Sequence, residues 1–166
     1  MPSDIDKDLD LLEEAMLNFE RAMSRPRAWE NTVARAGVSI DKAGGVLLHI
    51  LMRPEEEGCH LQDMAERLGI EAPSVSRKVQ QLEQQGLVSR AADENDRRAR
   101  RLQITPAGRK VAKQLQKARL AILADVLAAW PADERSAFAA LFNRLSHDIV
   151  VYHSSSAHHN YNAAKK

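Results

Sequence analysis

The first stretch of the chain places apolar residues at Ile5, Leu9, Leu12, Met16, Phe19 and Met23. Steps of four and three put all six on one stripe of an α-helix. Pro26 is expected to end or kink that helix, because proline disfavours helical backbone in the residue before it. A terminal helix with an apolar stripe needs a covering surface, supplied either by its own domain or by a second copy. The 4-3 spacing suits a helix–helix seam and favours the second copy. A further helix is predicted after Asp41, an N-cap residue, with Val46, Leu47, Ile50 and Leu51 as its apolar face and Pro54 as its stop. Leu61, Met64, Ala65 and Leu68 predict a short amphipathic helix closed by Gly69. Pro73 and Ser74 open another, with Val75, Val79 and Leu82 inward and Gly86 at its end.

Residues 87–90 and 100–104 then read as two short strands around a polar turn, with Leu102 and Ile104 on one face. Thr105 and Pro106 suit the cap and first position of a helix carrying Val111, Leu115, Ala118, Ile122 and Val126. Leu120, Leu123 and Leu127 widen that stripe, which predicts burial on two sides. Pro131 breaks the pattern. A last helix over 133–152 is expected to turn Phe138, Leu141, Phe142, Leu145 and Ile149 inward, and the polar residues from His153 onward are expected to be disordered. Two short helices joined by a glycine turn form a helix-turn-helix, and the hairpin after them makes it winged. The expected fold is therefore mainly α with a small β-hairpin wing, in one domain over residues 1–152. Dimerisation helices would occupy residues 4–25 and 106–152, a DNA-reading lobe 41–105, and a disordered tail 153–166.

Composition agrees. The 166 residues include 25 Ala but only seven Gly and six Pro, which favours helix over turns. Seven aromatic residues are few for a β-sandwich core. Cys59 is the single cysteine, so no internal disulfide forms, which fits a reducing compartment. The acidic N-terminus is unlike a signal peptide, and no run approaches the roughly 20 apolar residues of a membrane span. The expectation is a soluble, cytoplasmic protein with no membrane partner.

Charge changes the picture more. The net charge of +1 hides a dipolar layout. Residues 1–24 hold seven acids and two bases, whereas residues 74–110 hold nine bases and four acids. Association responds to such local potential and not to the total, so the basic middle points to nucleic acid. With its buried positions removed, the helix opened by Pro73 presents Ser74, Ser76, Arg77, Lys78, Gln80 and Gln81. A helix fits the major groove, where Arg77 can grip guanine with two hydrogen bonds and Ser74 and Ser76 can reach phosphate or bases. Gln80 and Gln81 read more simply as an exposed helix face. The hairpin carries Arg97, Arg98, Arg100 and Arg101 within five positions. Such guanidiniums repel one another unless an anion is near, and their planar forks suit phosphate and a narrow minor groove. Asp96 is a poor DNA contact and is expected to orient a neighbouring arginine.

Other chemistry is weaker. Cys59 and His60 are neighbours on an extended segment, so they face opposite ways and do not activate one another. A redox sensor acting through Cys59 stands as an alternative, as does a helical dimer that binds a protein partner without DNA. The histidines show no zinc-ligand spacing with cysteine, and no phosphate loop, Ser-His-Asp set or paired carboxylates are found. No cofactor, metal or enzymatic activity is expected. Arg21, Arg25 and Arg27 are candidates to hold an acidic ligand, and His49 to line a pocket, though ordinary surface and structural roles fit them as well.

The segments Pro73-Ser74-Val75-Ser76-Arg77, Leu82-Glu83-Gln84-Gln85-Gly86-Leu87-Val88 and Asp96-Arg97-Arg98-Ala99-Arg100-Arg101-Leu102-Gln103-Ile104-Thr105-Pro106-Ala107-Gly108 resemble the MarR/SlyA family of winged helix-turn-helix regulators. The similarity is close over residues 60–110 and extends by helix order to about Tyr152. It implies a homodimer of interlocked terminal helices that recognises palindromic operators on double-stranded DNA, as a repressor. Pro73, Ser74 and Arg77 would sit at the major groove, and Arg97 and Arg98 at the minor groove. A small aromatic or phenolic effector would release the DNA. The family's peroxide sensors carry their reactive cysteine in the N-terminal helix, where this chain has none.

Overall fold

The structure is a computed structural model. It describes residues 4–53, 59–92 and 100–163, and the side chains of 5–53, 59–92 and 101–153 among them. In chain order come α1 (Asp4–Ser24), α2 (Pro26–Ala36), α3 (Lys42–Leu51), β1 (Cys59–His60), α4 (Leu61–Leu68), α5 (Ala72–Gln84), β2 (Val88–Ala92), β3 (Arg100–Ile104), α6 (Pro106–Val126) and α7 (Ala132–Ala163). They form two compact units, Met1–Ile122 and Leu123–Lys166.

The expected mainly helical, winged fold is what the first unit shows, with one strand more than the pattern predicted. The sheet has three antiparallel strands in the order β1-β3-β2. Val88 faces Ile104 and Ala92 faces Arg100 across the hairpin, while Cys59 and His60 pair with Leu102 and Arg101 on the other side of β3. A two-residue strand is too short to show an alternating pattern, which is why β1 escaped the sequence. Pro26 does not merely stop a helix. It stands in the first turn of α2, where a missing amide proton is harmless.

The core of the lobe gathers Leu47, Leu48 and Leu51 of α3, Met64 and Ala65 of α4, Val75, Val79 and Leu82 of α5, and Val88, Leu102 and Ile104 of the sheet. Each fully buried Leu or Val contributes roughly 1.5–3 kcal/mol through the water it releases. The α3 face differs from the expectation: Leu48 is completely buried, whereas Val46 is exposed. Trp29 lies against this helix, its indole Nε1 donating to the Ile40 carbonyl at 2.9 Å. A Cβ on Gly45 would stand 2.3 Å from the Trp29 ring, so the glycine is what lets α2 and α3 approach. Asp41 and Gly69 act as foreseen, the first capping α3 through the Gly44 amide and the second closing α4 with φ of 62°.

The Thr105–Gly108 step is where the wing joins α6. The Thr105 hydroxyl donates to the Gly86 carbonyl at 2.7 Å and accepts from the Gly108 amide at 3.0 Å. The Thr105 amide donates to the Leu87 carbonyl at 3.1 Å. One residue thus caps α6 and ties it to the chain leaving α5. Gly108 is buried against that same Leu87 carbonyl, and an added Cβ would fall 2.0 Å from its oxygen.

The terminal helices depart from expectation. Along α1, Ile5, Leu9, Leu12, Met16, Phe19 and Met23 are all exposed, between 47% and 65%. Within α6, Ala112, Leu115 and Ala118 are buried, but Leu120, Leu123 and Val126 are exposed, so that helix is covered on one side and not two. The α7 row of Phe138, Leu141, Phe142, Leu145 and Ile149, expected inward, is also exposed. Periodicity identifies the face that must be covered; it does not say which chain covers it. Within the second unit Trp130, Phe138 and Phe142 stack in series with ring centroids 5.5 and 5.6 Å apart. Helix α7 runs to Ala163, well beyond the end expected near Tyr152, since no Gly or Pro interrupts residues 132–163. No helix among the described residues is long and apolar enough to cross a membrane.

Candidate nucleic-acid interface

Helix α5 is held from beneath by Val75, Val79 and Leu82, which fixes which side looks outward. Pro73, Ser74 and Arg77 are exposed there, and Ser76 is half-buried. Pro73 sits in the first turn, and the N-cap position, Glu71, makes no side-chain cap. The first turn of α5 therefore presents its partial positive charge beside Ser74 and Arg77, an arrangement suited to an anion. Arg90 of β2 forms an ion pair with Glu83 of α5 at 3.2 Å, so the hairpin is fastened to α5 by charge as well as by packing.

Lys78 is expected on this outward face, but its side chain is only 20% exposed. Its ammonium instead turns to α3, where it pairs with Asp41. Partial burial pushes the Asp41 carboxyl up, but Lys78 and the Gly44 amide outweigh that and hold it below its ordinary range. Asp96, Arg97 and Arg98 lie outside the described residues, as does the side chain of Arg100, although its backbone opens β3. Arg101, on the same strand, is half-buried.

The residues expected to hold an acidic ligand or line a pocket stand on different elements. Arg21 is in the last turn of α1, Arg25 is the N-cap of α2, and both are exposed. His49 belongs to α3. Burial, together with the positive charges of Arg119 and Arg53, pushes its pKa down, so it is neutral at neutral pH. A groove of about 490 Å³ follows the outer face of α6 along Pro106, Arg109, Lys110, Lys113, Gln114 and Lys117, and a second of about 300 Å³ lies between α6 and Arg35. Neither is lined by Arg21, Arg25 or His49. The lysine face of α6 was missed in the sequence because its charges are spread over helical turns and not run together.

Cys59 is buried in β1, beside β3, and His60 is half-buried with its backbone amide donating to Asp63 at 3.2 Å. Burial first, and then the Asp63 charge, push the Cys59 thiol above its ordinary range. A protonated, covered thiol is a poor nucleophile. Native protein is therefore expected to react with a thiol reagent such as dithionitrobenzoate far more slowly than unfolded protein, and Cys59→Ser to leave any response to peroxide unchanged. Fast native labelling would restore the redox reading. Among the described residues no cluster of His, Cys, Asp and Glu is placed to hold a metal.

A sequence model of the MarR family matches residues 37–99, from the loop before α3 to the residue preceding β3. A MarR family protein from Bacillus stearothermophilus superposes with a TM-score of 0.76 at 18% identity, covering 87% of this chain and 97% of that one. The crystal structure of MarR gives 0.64 at 21% identity over 93% and 98% of the two chains. The MepR–DNA complex of S. aureus gives 0.57 at 18% identity over 81% and 96%. Helix order, the three-stranded sheet and the family match agree: the lobe built on α3, α4, α5 and the β2–β3 hairpin has a winged helix-turn-helix fold similar to that of MarR-family proteins.

Proposed function

We propose that the protein is a homodimeric, sequence-specific transcriptional regulator that binds palindromic operators as a repressor. The observation that carries this is the exposed first turn of α5, with Pro73, Ser74 and Arg77 outward, beside the β2–β3 hairpin, whose intervening sequence holds Arg97 and Arg98 and whose β3 opens with Arg100. A helix presented in this way enters a major groove with its N-terminal residues at base edges, and a wing of arginines suits the neighbouring minor groove. That one relative was solved with DNA supports the same role here. A dimer is supported by the exposed apolar rows of α1 and α7, which a lone soluble chain would not leave bare. It would set two α5 helices about one DNA turn apart, roughly 34 Å, which is why a palindrome is the fitting target.

The partner is double-stranded DNA, and the role is regulatory and not enzymatic. A small aromatic or phenolic acid as releasing effector fits the positive potential that Arg53 and Arg119 create around half-buried His49. The test is a fluorescence-anisotropy titration on duplexes enriched from a random pool, repeated over a range of salt. Arg77→Ala is expected to lose about 1–3 kcal/mol of binding and to relax base preference. Arg97→Ala and Arg98→Ala are expected to weaken binding to all duplexes alike and to flatten the salt dependence. Wild-type affinity in all three variants would dismiss the assignment.

A further inference from the structure

Lys78 is the one cation of the α5 face that folds back on the protein. Its side chain is 20% exposed. Its Nζ pairs with Asp41 Oδ2 and donates to Gln81 Oε1 at 2.6 Å, one turn along the same helix. The other carboxylate oxygen of Asp41 accepts from the Gly44 amide at 2.9 Å and so caps α3. One carboxylate thus serves two helices, a first oxygen for α3 and a second for α5. The next residue, Lys42, donates to the Met23 carbonyl at 3.2 Å in the last turn of α1, where a cation complements the helix end. Residues 41 and 42 therefore join α1, α3 and α5 at one point.

Apolar packing through Val75 and Val79 is non-directional and tolerates small rotations of α5 about its own axis. A hydrogen-bonded ion pair is directional and removes that freedom. The pair is half-exposed on the Asp41 side, at 52%, so it adds little to stability and its effect is on geometry. We propose that Asp41 and Lys78 set the rotational attitude of the reading helix, with Lys42 extending the joint to α1. Lys78 is then a positioning residue and not a phosphate contact. The proposal rests on α5 being the helix that reads DNA.

Two substitutions separate the roles. Asp41→Asn keeps a capping oxygen for α3, since Asn caps as well as Asp, and removes the charge. Lys78→Met keeps the stem and removes the ammonium. Binding is measured on a duplex enriched from a random pool by the wild-type protein and on a scrambled duplex of the same composition, across a range of salt. Each single variant is expected to lose about tenfold on the enriched duplex, the equivalent of one misread base pair. The double variant should be no worse than either single, because both remove the same contact. Scrambled-duplex affinity and salt slope should stay as in wild type, and Lys78→Arg should restore binding. The proposal is overturned if Lys78→Met weakens both duplexes alike and lowers the salt slope by about one, the mark of a phosphate contact, while Asp41→Asn binds normally. Should Asp41→Asn melt early, the decision falls to Lys78→Met and its Arg rescue, where an unrescued loss counts against the proposal. If wild-type protein enriches no duplex at all, the DNA-reading role of α5 fails first and the joint falls with it.

Discussion

Gly108→Ala is expected to destabilise the protein, although helix propensity alone predicts the opposite. Glycine inside a helix is about 1 kcal/mol worse than alanine, so the exchange at an open position in α6 would be a gain. Here the new methyl group would stand 2.0 Å from the Leu87 carbonyl oxygen and 2.8 Å from Ile104 Cγ1. The nearer atom belongs to backbone, which has no rotamer to move into. Overpacking of this kind costs about 1–3 kcal/mol, and relief requires α6 to draw away from the chain that links α5 to β2. A net loss of about 2 kcal/mol is expected in urea denaturation, with the Thr105 hydrogen bonds to Gly86 and Leu87 strained by the same movement. Because that link sets where the wing stands relative to α5, DNA affinity should fall further than stability does. A variant as stable as wild type would show that the Thr105–Gly108 step yields more easily than its geometry implies.

The second large effect concerns assembly. Phe142→Glu changes a residue that is 48% exposed on the single chain, where a surface substitution ordinarily shifts stability by no more than about 0.5 kcal/mol. If the α7 row is buried between two copies, the same change puts an unpaired carboxylate into an apolar seam. Phe142, Leu145 and Ile149 recur at steps of three and four, as Leu9, Leu12 and Met16 do on α1, so one charge spoils a contiguous seam. Burying an unpaired charge costs several kcal/mol, enough to shift a micromolar or tighter dimer to monomer at ordinary concentrations. Sedimentation equilibrium should therefore report a dimer for wild type and a monomer for Phe142→Glu, with DNA binding lost alongside. A wild-type monomer, or an unaffected variant, would remove the dimer from the proposal.

How far the sequence foretold this architecture depends on the range of the interaction involved. Caps were readable because they are local: Asp41, Thr105 and Gly69 each act within one turn. The α5 core positions were readable because Val75, Val79 and Leu82 repeat at helical spacing against polar neighbours. Strand β1 was not, since two residues carry no period. Leu48 was missed and Val46 over-read because α3 is apolar nearly all round, which leaves its buried side to be chosen by tertiary packing. The outward turn of α5 followed from subtraction of its buried residues; Ser74 and Arg77 are exposed where that places them, whereas Ser76 is half-buried. Lys78 could not be sorted in this way. Its partner Asp41 lies 37 residues earlier, and no spacing rule joins them.

Sheet order carries a last consequence. The return strand of the hairpin, β3, is the central member, flanked by β2 on one side and by β1 on the other. Cys59 and His60 are paired with Leu102 and Arg101, so the alignment of β3 is pinned from outside the hairpin as well as by β2. That alignment is set by pairs within β1, β2 and β3 themselves. Insertions or deletions between Ala92 and Arg100 are therefore expected to add only a slowly growing closure entropy and to slide no strand. The reach of this finger is thereby uncoupled from its footing, leaving a relative free to acquire a longer or shorter one while its foundation stands still.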